Sequence, residues 1–281
     1  MNSTIFTLLI LAIIVGSISY FLFQYKPRKK AQVKDLYSEG LDMMVSGHLR
    51  AAYNAFKTIV QKDTENINAY LKLGQVVREG KNPEQALKIH KSLTLRKQLS
   101  LYAKLELHKN LALDYLALSS HHDSIAEAEK VLNLDKRNEW ALEHLLNIHK
   151  SRDEWEKATG NLVQLQKVRG IENSKEIGKY KIQEGKALLR ASDFPKARDL
   201  FEEALNIDES LADAYFYIGN SYAQESEHAY KKAMDYDKGP VRPDVDSGYN
   251  KSLNQAKQIL SKAIPMWVQF GEMTPEKSGR M

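Results

Sequence analysis

The chain has 281 residues, 43% apolar and 27% charged, with 14 Gly, 7 Pro and no Cys. Without cysteine there are no disulfides, thiolate metal sites or cysteine nucleophiles, and with so few helix breakers most of the length is free to be helical. The net charge of +5 is not a sign of nucleic-acid binding, because Lys26, Arg28, Lys29, Lys30 and Lys34 account for all of it and residues 35–281 sum to zero.

Ile5 to Phe23 carries no charged side chain, and thirteen of its residues are Ile, Leu, Val or Phe. As a helix it would span about 28 Å, close to the hydrocarbon thickness of a bilayer. Those apolar residues favour insertion by about 4 to 8 kcal/mol in sum. A cleaved signal peptide has its basic residues before the apolar core, whereas here the basic cluster follows it. Residues 1–25 are therefore expected to be an uncleaved transmembrane anchor, and 26–32 a basic juxtamembrane linker. The positive-inside rule then places everything after residue 25 in the cytoplasm. Ala12 and Gly16 form a small-xxx-small pair, the one pointer to a homo-oligomer.

Beyond residue 32 the chain repeats itself with a 34-residue frame. Small residues recur at positions 8 and 20, and large apolar ones at 4, 7, 11, 24 and 27. The repeats are 33–66, 67–100, 105–138, 139–172, 178–211 and 212–263. Position 8 or 20 is filled by Gly40 and Ala52, Gly74 and Ala86, Ala112, Ala158, Gly185 and Ala197, and Gly219. Ser124 and Leu146 depart from the frame. This predicts an all-α tetratricopeptide-repeat solenoid of about six helix pairs, in which position 8 meets position 20 and each pair buries its apolar face on the next. The last repeat carries an insertion, about 225–248, whose Gly239-Pro240 and Pro243 read as a loop, with a helical extension expected at Ser226–Tyr236 before it. Its second helix is expected at Tyr249–Ala263, with Ala256, Leu260 and Ala263 at positions 20, 24 and 27. Residues 264–281 are expected to be a cap and tail.

No nucleophile, base or cofactor motif is present, and no carboxylate–histidine set has ligand spacing, so no catalytic, cofactor or metal residue is assigned. His90, at position 24, reads as a packing residue. What remains is the concave surface of the first helices, expected to bind other proteins through Tyr37, Leu41, Met44, Leu71, Gln75, Arg78, Lys109, Leu113, Leu116, Trp140 and Asn147.

Three stretches carry a family resemblance. The first runs from Leu71-Lys72-Leu73-Gly74 through Arg78 and Gly80 to Ala86-Leu87-Lys88-Ile89-His90-Lys91-Ser92-Leu93. The second is Leu111-Ala112-Leu113-Asp114-Tyr115 with Ala126-Glu127. The third is Ala141-Leu142, Leu145-Leu146, Ile148 and Glu154-Trp155-Glu156-Lys157-Ala158. Together with the N-terminal anchor they resemble the lipopolysaccharide assembly protein B family over roughly residues 1–225. The resemblance implies a bacterial inner-membrane adaptor through which a membrane-bound AAA protease degrades the lipid A deacetylase. That family also carries a C-terminal rubredoxin-like zinc module with two CxxC pairs; no Cys occurs here, so no metal residue carries over. The alternative function is an assembly factor or co-chaperone for another membrane or secretion complex.

Overall fold

The computed structural model describes the backbone at residues 3–237 and 243–274, and side chains there except at 3–9, 21–31, 233, 235–237, 243–250, 252, 253, 256 and 260. Among the described residues every regular element is a helix. The chain divides into two compact units, 1–136 and 137–281. The first contains α1 (Ser3–Val45), α2 (Leu49–Lys62), α3 (Ile67–Glu79), α4 (Pro83–Leu93), α5 (Leu101–Ala117) and α6 (His121–Leu134). The second contains α7 (Glu139–Ser151), α8 (Trp155–Arg169), α9 (Ser174–Arg190), α10 (Phe194–Ile207), α11 (Ala212–Asp237) and α12 (Pro243–Met273). Each unit is thus three stacked helix pairs.

Local chemistry sets the helix boundaries. Asn66, Asn138 and Asn173 each accept a backbone N–H three residues on, capping α3, α7 and α9, and Ser100 does the same for α5. Pro83 opens α4, where its missing N–H costs nothing. Asp63, Asp135 and Asp208 leave the helix in extended conformation at the ends of α2, α6 and α10. The turns inside the first five pairs each place one residue in the left-handed region: Gly47, Lys81, Ser119, Asp153 and Ser192.

The close approach inside a pair differs from expectation in which side chain demands it. A Cβ on Gly40 would meet the Phe56 ring at 2.9 Å, and one on Gly185 would meet Phe201 at 2.5 Å. One on Gly74 would meet His90. Position 8 must therefore be small because position 24 is a ring lying over it. Position 20 touches the position-8 backbone: in the third pair Ser124 Oγ donates to the Ala112 carbonyl at 2.7 Å. That pair has Ala128, not a ring, at position 24, and it tolerates Ala at position 8.

The last pair corrects the sequence reading. Gly219 packs on Trp267, whose ring a Cβ added at Gly219 would meet at 2.6 Å, so Trp267 fills position 24 and Ala263 and Phe270 fill positions 20 and 27. Both are buried, at 0% and 6% exposure. The side chains of Ala256 and Leu260 lie outside the described residues. Antiparallel pairing explains the shift: the residue midway between Gly219 and Trp267 is Pro243, the first of α12. Within the insertion expected at about 225–248, the helical extension over 226–236 continues α11 to Asp237, 243–248 open α12, and the expected loop at Gly239-Pro240 lies outside the described residues; 264–273 continue α12 rather than forming a separate cap. Residues 101–104, read as intervening between repeats, likewise add a turn to α5.

Residues 26–32, expected as a linker, continue the helix from Ser3 to Val45 without a break. Among the described residues no helix is long and apolar enough to cross a membrane. The side chains at 5–9 and 21–23 of the expected span, and those of Lys26, Arg28, Lys29 and Lys30, lie outside the described residues. Within the span, Ile10, Leu11, Ile13, Ile14, Val15 and Ile18 are all exposed.

Candidate partner-binding surface

In unit 1 the first helices α1, α3 and α5 carry nine of the expected groove residues. Tyr37, Leu41 and Met44 are half-buried against the core formed by Phe56, Ile59 and Leu73, and Tyr37 meets the Phe56 ring edge-on at 5.5 Å. Burial and then Tyr102 raise the pKa of the Tyr37 hydroxyl. Gln75 accepts from Lys72 Nζ at 2.9 Å and donates to Glu79 at 2.9 Å. Lys109 sits 3.9 Å from Glu106, and Leu113 and Leu116 are half-buried.

Two expected groove residues are not available to a partner. Leu71 is 5% exposed and packs with Leu93, Leu107 and Leu111. Arg78 donates to Asp114 Oδ1 at 2.7 Å, to the Asn110 carbonyl at 3.3 Å and to Asn110 Oδ1 at 3.2 Å. Asp114 is fully buried and also pairs with His90 Nδ1 at 2.5 Å, while His90 Nε2 lies 3.1 Å from the Leu71 carbonyl. The periodicity treats Arg and Asp as surface. In fact this cluster fastens the third helix pair to the second, because a buried carboxylate needs a counter-ion, here Arg78, and further hydrogen-bond partners. Its members, Arg78, His90 and Asp114, all come from the stretches that carry the family resemblance.

In unit 2, Trp140 stacks on His144 with ring centroids 4.8 Å apart, and Asn147 is exposed on the same helix. Burial alone lowers the His144 pKa to about 4. His149 Nδ1 meets Glu154 at 2.7 Å, and hydrogen bonds from Arg152 and then His149 hold the Glu154 carboxyl down at about 2. All nine position-8 and position-20 residues are buried. Lys34 is exposed. Tyr102 and Leu101, missed at the sequence level, are 65% and 57% exposed on the added turn of α5; their signal was the four-residue offset between repeats two and three.

The Arg78–Asp114–His90 cluster and the ring-over-small-residue pairs give the chain a specific internal pattern, and comparison with known proteins gives it relatives. The Escherichia coli K12 protein named lipopolysaccharide assembly protein B is 24% identical over 234 residues, covering 82% of this chain and 56% of that protein. The chain is similar to lipopolysaccharide assembly protein B. A second protein of that name, from Haemophilus influenzae, is 27% identical over 194 residues, 66% of this chain and 48% of its own length. The chain thus spans about half the length of the lipopolysaccharide assembly protein B relatives that it matches. No family model matches the chain. Among solved structures, a tetratricopeptide-repeat protein from Parabacteroides merdae aligns over 86% of this chain and 93% of its own, with 13% identity and a TM-score of 0.45.

Proposed function

We propose that the chain is a non-catalytic protein–protein scaffold, held at the inner membrane by its N-terminal helix, that acts in lipopolysaccharide assembly. The observation that carries this reading is the similarity to lipopolysaccharide assembly protein B across 82% of the chain. The anchor is supported by the run of exposed aliphatic side chains between Ile10 and Ile18. A helix that is apolar all round needs an apolar surrounding, which a bilayer supplies. The groove of α1, α3 and α5 offers Tyr37, Met44, Lys109 and Leu113 to a partner, a mixture of aromatic, aliphatic and cationic surface suited to protein recognition. In the finer form of the proposal, the partners are a membrane-bound AAA protease and the lipid A deacetylase that it degrades.

Deletion of the gene in the native host tests this. The expected outcome is a longer deacetylase half-life and a rise in lipopolysaccharide relative to phospholipid. An unchanged half-life and an unchanged ratio would contradict the proposal.

A further inference from the structure

One stretch of unit 1 departs from the charge balance of the repeats. From Gln85 to Leu105 there is no acidic residue, while Lys88, Lys91, Arg96, Lys97 and Lys104 supply five cations. The stretch includes the connection from the end of α4 at Leu93 to the start of α5 at Leu101, longer than the one joining α2 to α3. A recess of about 420 Å³ opens between this connection, the start of α5 and the end of α6. Leu99, Leu134 and the edge of the core residue Leu107 line it with apolar surface; Arg96 and Lys104 bring cations to it, while Lys130 is paired with Glu127 at 2.7 Å. The Arg96 guanidinium is held in place by Glu65 at 2.5 Å and the Thr64 carbonyl at 2.8 Å. Lys104 is exposed and forms no ion pair among the described residues. Leu95, beside Arg96 in the chain, is 83% exposed, and Leu101 is 57% exposed.

An apolar recess with Arg96 and Lys104 at its rim, beside Leu95 and Leu101, which the solenoid's own packing leaves exposed, has the make-up of an interaction site rather than of ordinary surface. We infer that it docks an acidic, extended peptide segment of a partner protein, one that carries an apolar side chain between its carboxylates. The carboxylates face Lys104 and Arg96, and the apolar side chain seats on the leucines. Concavity favours a peptide over a membrane, since a flat lipid surface reaches Lys97 and Leu95 but not the leucines inside the recess. The inference rests on the scaffold reading only in that the partner is a protein. It uses none of the groove side chains on α1, α3 and α5.

The test uses the full chain in phosphatidylcholine nanodiscs. The probes are a fluorescein-labelled octapeptide of alternating Glu and Leu, its Lys/Leu counterpart, and phosphatidylglycerol vesicles as competitor. The acidic peptide is expected to bind and the basic one not. Lys104→Glu is expected to weaken the acidic peptide about tenfold or more, and Lys57→Glu, an equal charge change on α2, to leave it unchanged. Leu134→Asn, which keeps the charge, is expected to weaken it as well, with helical circular dichroism unchanged in every variant. Equal binding of the two peptides, or indifference to both Lys104→Glu and Leu134→Asn, overturns the inference. A loss with Lys109→Glu in place of Lys104→Glu moves the peptide into the groove and overturns it while leaving the scaffold reading intact. Displacement by phosphatidylglycerol vesicles, with the same dependence on Lys104, assigns the patch to lipid and also overturns it.

Discussion

Asp114 has no exposed surface and is met by both Arg78 and His90. Removing the carboxylate leaves a guanidinium at 13% exposure without its counter-ion, so Asp114→Ala should cost about 3–5 kcal/mol of stability, read from urea unfolding. A second residue-scale prediction concerns volume. Alanine is ordinarily the better helix former, yet Gly185→Ala should destabilise by about 1–3 kcal/mol, because its Cβ would lie 2.5 Å from the Phe201 ring. Rescue by Phe201→Leu in the same background would tie the loss to that ring. His144 supplies a pH dependence. Burial holds its folded pKa at about 4, below the ordinary 6.5, so the unfolded chain takes up a proton first as pH falls. Its effect on stability is absent above about pH 6.5 and grows as a loss between there and pH 4. Urea midpoints at pH 7 and pH 5 should therefore differ less in His144→Gln than in the unaltered chain.

At the scale of elements, the turns inside the first five pairs share one backbone device, and Lys81, Ser119, Asp153 and Ser192 occupy left-handed positions that L-residues enter at a cost of about 1–2 kcal/mol. Lys81→Gly should raise the thermal midpoint of the chain and Lys81→Val should lower it, measured by circular dichroism. The helix pairs themselves were legible in the sequence because small residues at position 8 and apolar residues at fixed offsets recur wherever two helices must approach closely. Less visible was why position 8 is small: the frame pointed to position 20, while the ring at position 24, as in Gly40 with Phe56, sets the size. The last pair was misread for a related reason. Ala256, Leu260 and Ala263 repeat at the same offsets as Ala263, Trp267 and Phe270, and helical periodicity alone does not choose between two frames seven residues apart. Only the partner of Gly219 decides it, and that is a tertiary contact. The Arg78–Asp114–His90 cluster stayed hidden because hydrophobic periodicity assigns charged residues to the surface, and because the added turn of α5 breaks the frame between repeats two and three. Of the groove expectations, Leu71 and Arg78 failed where packing between pairs claimed the same helix face.

At the scale of the whole molecule, the proposed function brings together an exposed apolar helix segment and stacked helix pairs, and its central claim is that the groove of α1, α3 and α5 holds a protein partner at the membrane. Photo-crosslinking in the native host addresses that claim most directly. A p-benzoylphenylalanine placed at Leu113, half-buried in the groove, is compared with one at Lys57, exposed on α2, and the membrane fraction is probed with antibodies to the protease and the deacetylase. The account predicts an adduct with one of these two proteins from position 113 and none from position 57. A folded, membrane-associated chain that gives no such adduct from position 113, or the same adducts from both positions, would contradict it.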